Sequence, residues 1–397
     1  MIDNLNVTTI EEIVTDVQSG FASGDRTKDG VVQLRMNNVK TDGNFNWSSY
    51  VRVPATPNQI NKFKLKNNDI VFNSTNSPEL VGKTSIFTGF NEQVVFSNHF
   101  LRIRIDLERV DPQFLAFWFN LQWKKQVFKN LSTQWVNQAA VRKEDLLALK
   151  LFLPPLPEQQ KIAAILKKAD QIRRLRRYAR QLSDGYLQSV FLEIFGGPES
   201  ASVDIDRFGR VILDTQNGFS PRKDFDTSGT IVLRIRDISM GEIDYSNPRR
   251  MIIDEKEKEK YNLYPNDLIL VRVNGNPNLV GNSSVFKAQN EPIVFSDHII
   301  RVRLDEKAIN PAFAAFVLNS PFGRKETLRN ITTTAGQFTI NSSGLSQIRM
   351  IYPPVEKQKE FVKYMDRFKN LMKRQLESER QAEQLFQSML HQAFELR

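Results

Sequence analysis

Residues 1–153 alternate short apolar runs with turn-forming residues, which is the pattern of a β-rich domain. In residues 101–105 the order Leu-Arg-Ile-Arg-Ile alternates apolar and charged side chains. Strict alternation predicts a strand, because successive side chains point to opposite faces. Arg102 and Arg104, and the later pair Arg301 and Arg303, are therefore expected on a solvent face. A stretch near residues 111–128 has helical spacing, so the predicted fold class of this part is α+β.

Two long segments have helical spacing throughout. Residues 158–195 contain no proline and one glycine, and apolar residues recur every three or four positions, as in a coiled-coil seam. That stripe comprises Ile162, Ile165, Ala169, Ile172, Leu175, Ala179, Leu182 and Tyr186. The second segment follows Pro353-Pro354, and its stripe comprises Phe361, Met365, Phe368, Met372, Leu376, Leu385, Met389 and Ala393. Neither helix can bury a one-sided stripe alone, so we expect the two helices to pack against each other.

The chain repeats itself. VVFSNHFLRIRID at residues 94–106 returns as IVFSDHIIRVRLD at residues 293–305, and seven of the thirteen positions are identical. Other short motifs recur at the same offset of 198 or 199 residues, including the Pro-Pro pair before each long helix. The molecule is therefore predicted to be two homologous halves in tandem, each an α+β domain followed by a long helix.

Composition narrows the possible functions. The 397 residues include no cysteine, which excludes disulfides, cysteine-ligated zinc, iron–sulfur clusters and thiol nucleophiles. The formal net charge of +10 favours a polyanionic partner such as nucleic acid. The first residues lack the order of a signal peptide, and no apolar run approaches the ~20 residues of a membrane-spanning helix. We therefore expect a soluble, cytoplasmic protein.

A family resemblance follows from these features. The segment PPLPEQQKIAAILKKADQI at residues 154–172, the repeated order of domain and helix, and the motifs Asn68-Asp69-Ile70 and Val81-Gly82-Lys83 resemble the specificity subunit of type I restriction-modification systems. The resemblance covers essentially the whole chain. It implies target recognition domains at residues 1–153 and 198–352, and conserved spacer helices at residues 154–197 and 353–397.

The resemblance also implies a fold and a set of partners. Two homologous α/β target recognition domains would be separated by two long antiparallel helices that form a coiled-coil spacer, with pseudo-twofold internal symmetry. Each domain would read one half of a bipartite, asymmetric site in double-stranded DNA. The helices would dock two methyltransferase subunits, and restriction subunits would join through them. SAM is expected on the partner methyltransferase, and no cofactor or metal is expected on this chain.

Polar loops at equivalent places in the two halves are the candidate base-reading elements, because amides, hydroxyls and arginine pair with base edges. In the first half they comprise Asn73, Ser74, Thr75, Asn76, Gln134, Asn137 and Gln138. In the second half they comprise Arg272, Asn274, Asn276, Thr334 and Gln337. Candidate phosphate contacts, which position a protein without specifying sequence, are Lys40, Arg222 and Lys223.

The first long helix is strongly basic, with few acidic residues of its own. The residues proposed for it are Lys161, Lys167, Lys168, Arg173, Arg174 and Arg177. Three alternatives remain open for this run: contact with the DNA backbone, docking of a methyltransferase, or an ordinary solvated face.

Enzymatic motifs are incomplete. His99 and His298 stand near Ser97 and Ser296, as a serine nucleophile and its base would. No acidic residue recurs at a fixed spacing from them, so the catalytic set is incomplete. Gly82-Lys83-Thr84 lacks the earlier glycine of a phosphate-binding loop, and Asn276-Pro277 lacks the rest of a methyltransferase tetrad. The sequence thus predicts a non-catalytic recognition subunit. Its rivals are a coiled-coil scaffold with two protein-binding heads and, less favoured, a nuclease or methyltransferase in its own right.

Overall fold

A computed structural model describes residues 7–183, 185–196, 204–220, 228–334 and 336–395. The chain divides into two compact units. Unit 1 combines residues 1–178 with residues 376–397, and unit 2 comprises residues 179–375. Among the described residues, no helix is both long enough and apolar enough to cross a membrane.

Unit 1 is built from short strands, the helices given below and the last part of the long C-terminal helix, from residue 376 onward. Its strands are β1 (Val7–Thr9), β2 (Val14–Ser19), β3 (Val31–Leu34), β4 (Val51–Val53), β5 (Ile70–Asn73), β6 (Thr75–Asn76), β7 (Thr84–Ile86), β8 (Val94–Phe96), β9 (Phe100–Ile105), β10 (Thr133–Trp135), β11 (Gln138–Ala140) and β12 (Lys150–Phe152). Its helices are α1 (Pro57–Phe63), α2 (Pro112–Lys124), α3 (Val127–Leu131), α4 (Lys143–Leu147) and the first part of α5 (Leu156–Ser183). Helix α2 confirms the helical stretch predicted near residues 111–128.

The core of unit 1 lies on both faces of one central sheet. That sheet has the strand order β2-β9-β5-β7, and a second sheet has the order β4-β3-β8. Ile70, Phe72 and Ile103 face a cluster that includes residues of α2. Val71, with Phe100 and residues of the second sheet, forms a separate cluster. Because the central strands are covered on both faces, their side chains are buried at every position and not at alternate ones.

Unit 2 repeats this order of elements. Its helices are α6 (Tyr186–Phe195), α7 (Glu255–Tyr261), α8 (Pro311–Asn319), α9 (Pro321–Arg329), α10 (Ser342–Gln347) and the first part of α11 (Val355–Glu395). Its strands are β13 (Ile205–Arg207), β14 (Ile212–Asn217), β15 (Thr230–Leu233), β16 (Ile238–Ser239), β17 (Glu242–Ile243), β18 (Arg250–Met251), β19 (Leu268–Val271), β20 (Val273–Asn274), β21 (Ser283–Val285), β22 (Ile293–Phe295), β23 (Ile299–Leu304), β24 (Thr332–Thr334), β25 (Gln337–Thr339) and β26 (Arg349–Ile351). The sheet β14-β23-β19-β21 corresponds to the central sheet of unit 1.

Of the arginines that alternate along β9 and β23, two are buried, so the prediction of a solvent face is wrong for them. Arg102 is 4% exposed and donates to Asp16 at 2.6 Å and to the Lys62 carbonyl at 3.0 Å. Arg301 is equally buried and pairs with Asp214. The other two, Arg104 and Arg303, are partly exposed and bond the buried carboxylates of Asp69 and Asp267. All four arginines are therefore engaged in ion pairs within their domain.

Within each unit the long helices pair in antiparallel fashion. In unit 1, Leu166 and Ala169 pack against Phe386 and Leu390, while the later residue Arg173 bonds the earlier residue Glu383. In unit 2, Tyr186 stacks near Phe368, and Phe191 lies against Phe361. In each pair, the residue numbers increase along one helix while those of the residues it contacts decrease, so the two helices run antiparallel. The predicted fold class of two α/β domains with long antiparallel helices is therefore confirmed.

The helices differ from their predicted form in two respects. The predicted helix at residues 158–195 is two helices, because Gly185 adopts a left-handed conformation with φ 83° between α5 and α6. The predicted seam is also displaced. Ile165, Ile172 and Leu175 are 43%, 51% and 58% exposed, whereas the buried residues of α5 are Gln159, Ala163, Leu166, Ala169, Asp170 and Arg173. Half of that buried stripe is polar, so apolar spacing alone shifts the predicted seam towards the neighbouring face, although Ala169 belongs to both.

A buried glutamine attaches each long helix to its own domain. The Gln159 side chain is fully buried, accepts from the Asp111 amide at 2.9 Å, and donates to the carbonyls of Arg109 at 2.9 Å and Pro154 at 2.8 Å. Gln358 makes the same three bonds in unit 2, to Asn310, Ala308 and Pro353. Each glutamine thus ties the first turn of its helix to the loop that precedes α2 or α8.

Candidate nucleic-acid interface

A small sheet at one edge of unit 1 gathers most of the predicted base-reading residues. Its strand order is β10-β11-β6, and the register places Gln134 and Asn76 on either side of Ala139. Directly opposed residues share one face of a sheet, and Ala139 is fully buried, so this face turns towards the body of the domain. The opposite, outward face presents Thr75, Thr133, Trp135, Ala140 and Gln138.

Bonds within the protein hold the inward face in place. The Gln134 amide donates to the Lys129 carbonyl at 3.1 Å, and the Asn76 amide donates to the Asn73 side chain at 2.5 Å. The Val141 amide donates to the Ser74 carbonyl at 2.9 Å. The hairpin formed by β10 and β11 is therefore anchored at its base, while its outward face keeps its polar groups available.

A basic residue and a histidine lie beside this sheet. The His99 carbonyl accepts from the Thr75 amide, which ties His99 to β6. Burial lowers the pKa of the His99 ring, and the charge of Arg35 lowers it further, so the ring is neutral at pH 7. Arg35 itself donates to Gln33 at 3.2 Å and to the Ser23 carbonyl at 3.0 Å. Arg35 is not among the residues predicted from the sequence, although its recurrence as Arg234 in the repeat was a usable signal.

Unit 2 builds the same small sheet with different chemistry. Its strand order is β20-β25-β24, and Phe338 of β25 packs on the core of the unit, which defines the inward face. Thr332, Thr334 and Gln337 belong to the opposite face and are exposed. The turn of the hairpin includes Gly336, in a left-handed conformation with φ 78°.

The segment between β19 and β21, which contributes the third strand of this sheet, carries the arginine predicted to read a base. Arg272 donates through Nε to the Asp297 carbonyl at 2.9 Å and is partly buried. The neighbouring His298 ring lies 2.9 Å from the Asp297 carboxylate. Because one edge of the guanidinium is used by the protein, only its remaining donors can reach a base. Two other predicted residues, Asn274 and Asn276, each accept a backbone amide of the same loop and shape its turn.

Comparison with known proteins places this arrangement in a family. The sequence pattern described as type I restriction modification DNA specificity domain matches residues 29–180 and again residues 212–383. The chain belongs to that family. The two matched ranges also confirm the internal repeat inferred from the sequence.

Individual proteins resemble most or nearly all of the chain. The specificity subunit of the StySPI type I restriction enzyme from Salmonella potsdam is 25% identical over 350 residues, which are 84% of this chain and 74% of that protein. A chain from a structure of a type I restriction-modification system, solved to explain assembly and conformational transition, superposes with a TM-score of 0.59 at 19% identity, covering 98% of this chain and 97% of that one. The S subunit from M. genitalium superposes with a TM-score of 0.58 at 13% identity, covering 99% of this chain and 97% of that one. These two likenesses establish the fold.

Some predicted DNA contacts are wrong for this member of the specificity family. Asn73 is fully buried and donates to the carbonyls of Thr75 and His99, at 3.1 and 3.0 Å. Ser74 is 7% exposed, and its hydroxyl donates to the same His99 carbonyl at 3.2 Å. Both side chains stabilise the start of β6 and cannot reach a base. The polar composition of this loop serves its own backbone, which is a common use of asparagine and serine.

The remaining predicted contacts stay predictions. Asn137 and Gln138 are exposed at the turn and start of β11, and Lys40 is exposed on a loop. Thr334 and Gln337 are exposed in the hairpin of unit 2. Arg222 and Lys223 lie outside the described residues.

Three of the basic residues proposed for α5 are used within unit 1. Arg173 is 5% exposed, bonds Asp170 at 2.5 Å and Glu383 at 3.1 Å, and stacks 4.3 Å from the ring centre of Phe386. Arg177 lies 3.7 Å from Glu379, and Arg174 pairs with Asp170. The prediction of a partner or DNA contact is wrong for Arg173, because no face of it is open. The acidic partners of these arginines are Asp170 of α5 itself and Glu379 and Glu383 of α11.

Lys161, Lys167 and Lys168 differ from these arginines. All three are exposed on α5, so they remain candidates for contact with a partner or with DNA.

Proposed function

We propose that this chain is the non-catalytic subunit that reads DNA in a type I restriction-modification complex, with one unit for each half of a bipartite, asymmetric site. The observation that carries the proposal is the pair of equivalent hairpins. Each is anchored on its inward face and presents hydroxyls and amides outward, and the outward residues differ between the units. Such groups pair with base edges in the major groove, which admits a two-stranded ribbon. Different outward residues on equivalent hairpins would read different half-sites.

We further propose that the long helices dock two methyltransferase subunits, through which restriction subunits join. Ile165, Ile172 and Leu175 form an exposed apolar stripe on α5. At residues 157–166 and 389–393 the helices of unit 1 also enclose an apolar groove of about 580 Å³. Exposed apolar surface that continues along a helix is typical of a protein-binding face. Methyl transfer, with its SAM, and cleavage would reside on these partners, and the complex would act on cytoplasmic DNA.

Selection from a randomised duplex library tests the DNA-reading proposal. The full chain, co-purified with its methyltransferase, is incubated with the library at near-physiological salt, and bound duplexes are sequenced. We expect two short, different motifs at a fixed spacing, with unspecified bases between them. Recovery of a single continuous motif would contradict the division of labour between units, and recovery of no motif would contradict sequence recognition.

Charge substitutions on α5 test the docking proposal. Ile172→Asp and Leu175→Asp should abolish co-purification of the methyltransferase, because a carboxylate cannot be buried in an apolar interface without a partner. Gln171→Asp is the matched control, since Gln171 is exposed on the same helix. Retention of the methyltransferase by both test variants would show that it docks elsewhere.

A further inference from the structure

Two bulky apolar side chains stand at the tip of the unit 1 hairpin, whose outward face otherwise carries polar side chains and the small residue Ala140. Trp135 ends β10 and is 58% exposed, and Val136 follows it in the turn and is 91% exposed. The register pairs Trp135 with Gln138 on the outward face. Single exposed apolar residues are common on protein surfaces. An adjacent pair on the exposed tip of an anchored hairpin, beside groups suited to base edges, indicates a contact surface.

The tip is held in a defined place. Asn137 completes the two-residue turn in a left-handed conformation with φ 67°, which asparagine tolerates better than most residues. Below the turn, Ala139 is fully buried, and the Ser132 hydroxyl and the Gln134 amide donate to the Lys129 carbonyl at 2.7 and 3.1 Å. These bonds hold β10, and pairing with β6 holds β11, so little conformational freedom remains to be lost when the tip meets a partner.

Unit 2 lacks this apolar tip in its described residues. There Thr334 occupies the last position of β24, and Gly336 stands in the turn. The two hairpins share their register, so their tips occupy equivalent positions. One tip is apolar and bulky, and the described residues of the other are a threonine and a glycine.

We propose that Trp135 and Val136 form an apolar contact with the C5-methyl group of a thymine in the half-site read by unit 1. The inference rests on the proposed function, since it assumes that the hairpin enters the major groove. The thymine methyl is the apolar group that the major groove displays, and apolar side chains are its usual partners. Gln138, on the same face as Trp135, is placed to bond a neighbouring base edge. Among the described residues of the unit 2 tip, Thr334 and Gly336 offer no comparable bulky apolar side chain.

Replacing thymine by deoxyuridine tests this contact, because it removes the methyl group and leaves every hydrogen-bonding group in place. The motif is first determined by selection, and the half-site that changes in a Gln138→Ala variant is assigned to unit 1. Each thymine of both half-sites is then replaced singly, and the affinity of the full chain is measured. We expect one replacement in the unit 1 half-site to weaken binding about fourfold, which is the effect of one buried methyl-sized group.

The same DNA series with a variant chain assigns the effect to the tip. The double variant Trp135→Ala, Val136→Ser should bind the thymine duplex and the deoxyuridine duplex with equal affinity. That affinity should be lower than the affinity of the original chain for the thymine duplex. Leu107→Ala is the control, because Leu107 is 54% exposed in unit 1 away from the hairpin. Circular dichroism and thermal unfolding should be unchanged in the tip variant, since both side chains are exposed.

The outcomes separate the inference from the proposed function. The methyl contact would be overturned if the selected bipartite motif contained no thymine in the half-site of unit 1. It would also be overturned if replacing thymine by deoxyuridine had no effect on affinity at any position. Either result would leave the DNA-reading proposal intact. A methyl effect that persists in the tip variant would also overturn it. Increased fluorescence of 2-aminopurine beside the contact, without a methyl effect, would indicate a wedge between bases instead. Absence of any selected motif would overturn both proposals.

Discussion

Units 1 and 2 agree where side chains are buried and differ where they are exposed. Gln159 and Gln358 make equivalent sets of bonds, and Arg102 and Arg301 occupy equivalent buried ion pairs. The hairpin tips, in contrast, have little in common. The comparison shows that the repeat preserves a scaffold, because a change inside it would leave polar groups unpaired, while its exposed tips are free to diverge.

The entry to the two long helices illustrates the same rule. The first copy reads Pro157-Glu158-Gln159 and the second reads Glu356-Lys357-Gln358. The first two residues of each triplet are exposed or only partly buried, whereas both glutamines are fully buried. The glutamine is therefore the residue on which the attachment of helix to domain depends.

One buried position departs from this rule. Lys83 donates from its amine to the carbonyls of Met36 at 3.1 Å and Val39 at 2.6 Å, and burial lowers the pKa of that amine. Unit 2 has Asn282 at the equivalent place. The resemblance of residues 82–84 to a phosphate-binding loop is thus explained by an internal bond, because the lysine points into the protein.

The largest expected effect comes from removing the buried glutamines. Gln159→Leu leaves a backbone amide and two carbonyls without partners and should lower the free energy of unfolding by about 3 kcal/mol. Gln358→Leu should do the same in unit 2. Chemical denaturation of each variant measures the change. The controls are Gln160→Leu and Lys359→Leu, which replace exposed neighbours. If only one glutamine variant were destabilised, the equivalence of the two scaffolds would be broken.

A smaller effect is expected at a charge that unit 1 buries between its helices. Arg173→Met should destabilise the chain by about 2 kcal/mol, because Asp170 is 4% exposed and loses a partner, although Arg174 still pairs with it. Arg176→Met should change stability little, since Arg176 is exposed on the same helix. Thermal unfolding of both variants provides the measurement. If the two variants were equally stable, the buried ion-pair network would not contribute to the stability of unit 1.

The smallest expected effect concerns specificity alone. Gln138→Ala and Gln337→Ala each remove one exposed amide from an outward face, and each should relax the preference at one base pair of a different half-site by about 1–2 kcal/mol. Stability should not change. Selection of DNA by the two variants in parallel measures both effects. A change in both half-sites from either variant would contradict the assignment of one unit to each.

Much of this organisation was predictable from the sequence. The repeat, the two long helices, the helical stretch before residue 128 and the family were all recognisable, because each depends on spacing or on a motif that can be recognised along the chain. The break at Gly185 was signalled by the only glycine in its segment. The face that we propose to read bases was predictable only in part: the hairpin sequence stood out, but which residues face outward depends on the register that places Ala139 on the inward face.

What the sequence determined alone is therefore the plan of two homologous halves and the residue types available at each exposed loop. Tertiary structure decided which of those residues are free to act. Arg173 is closed off by Glu383, 210 positions away, and Asn73 by the carbonyl of His99, 26 positions away. A polar side chain is available to a partner only when no group of its own protein satisfies it, and the groups that satisfy these two come from distant parts of the chain.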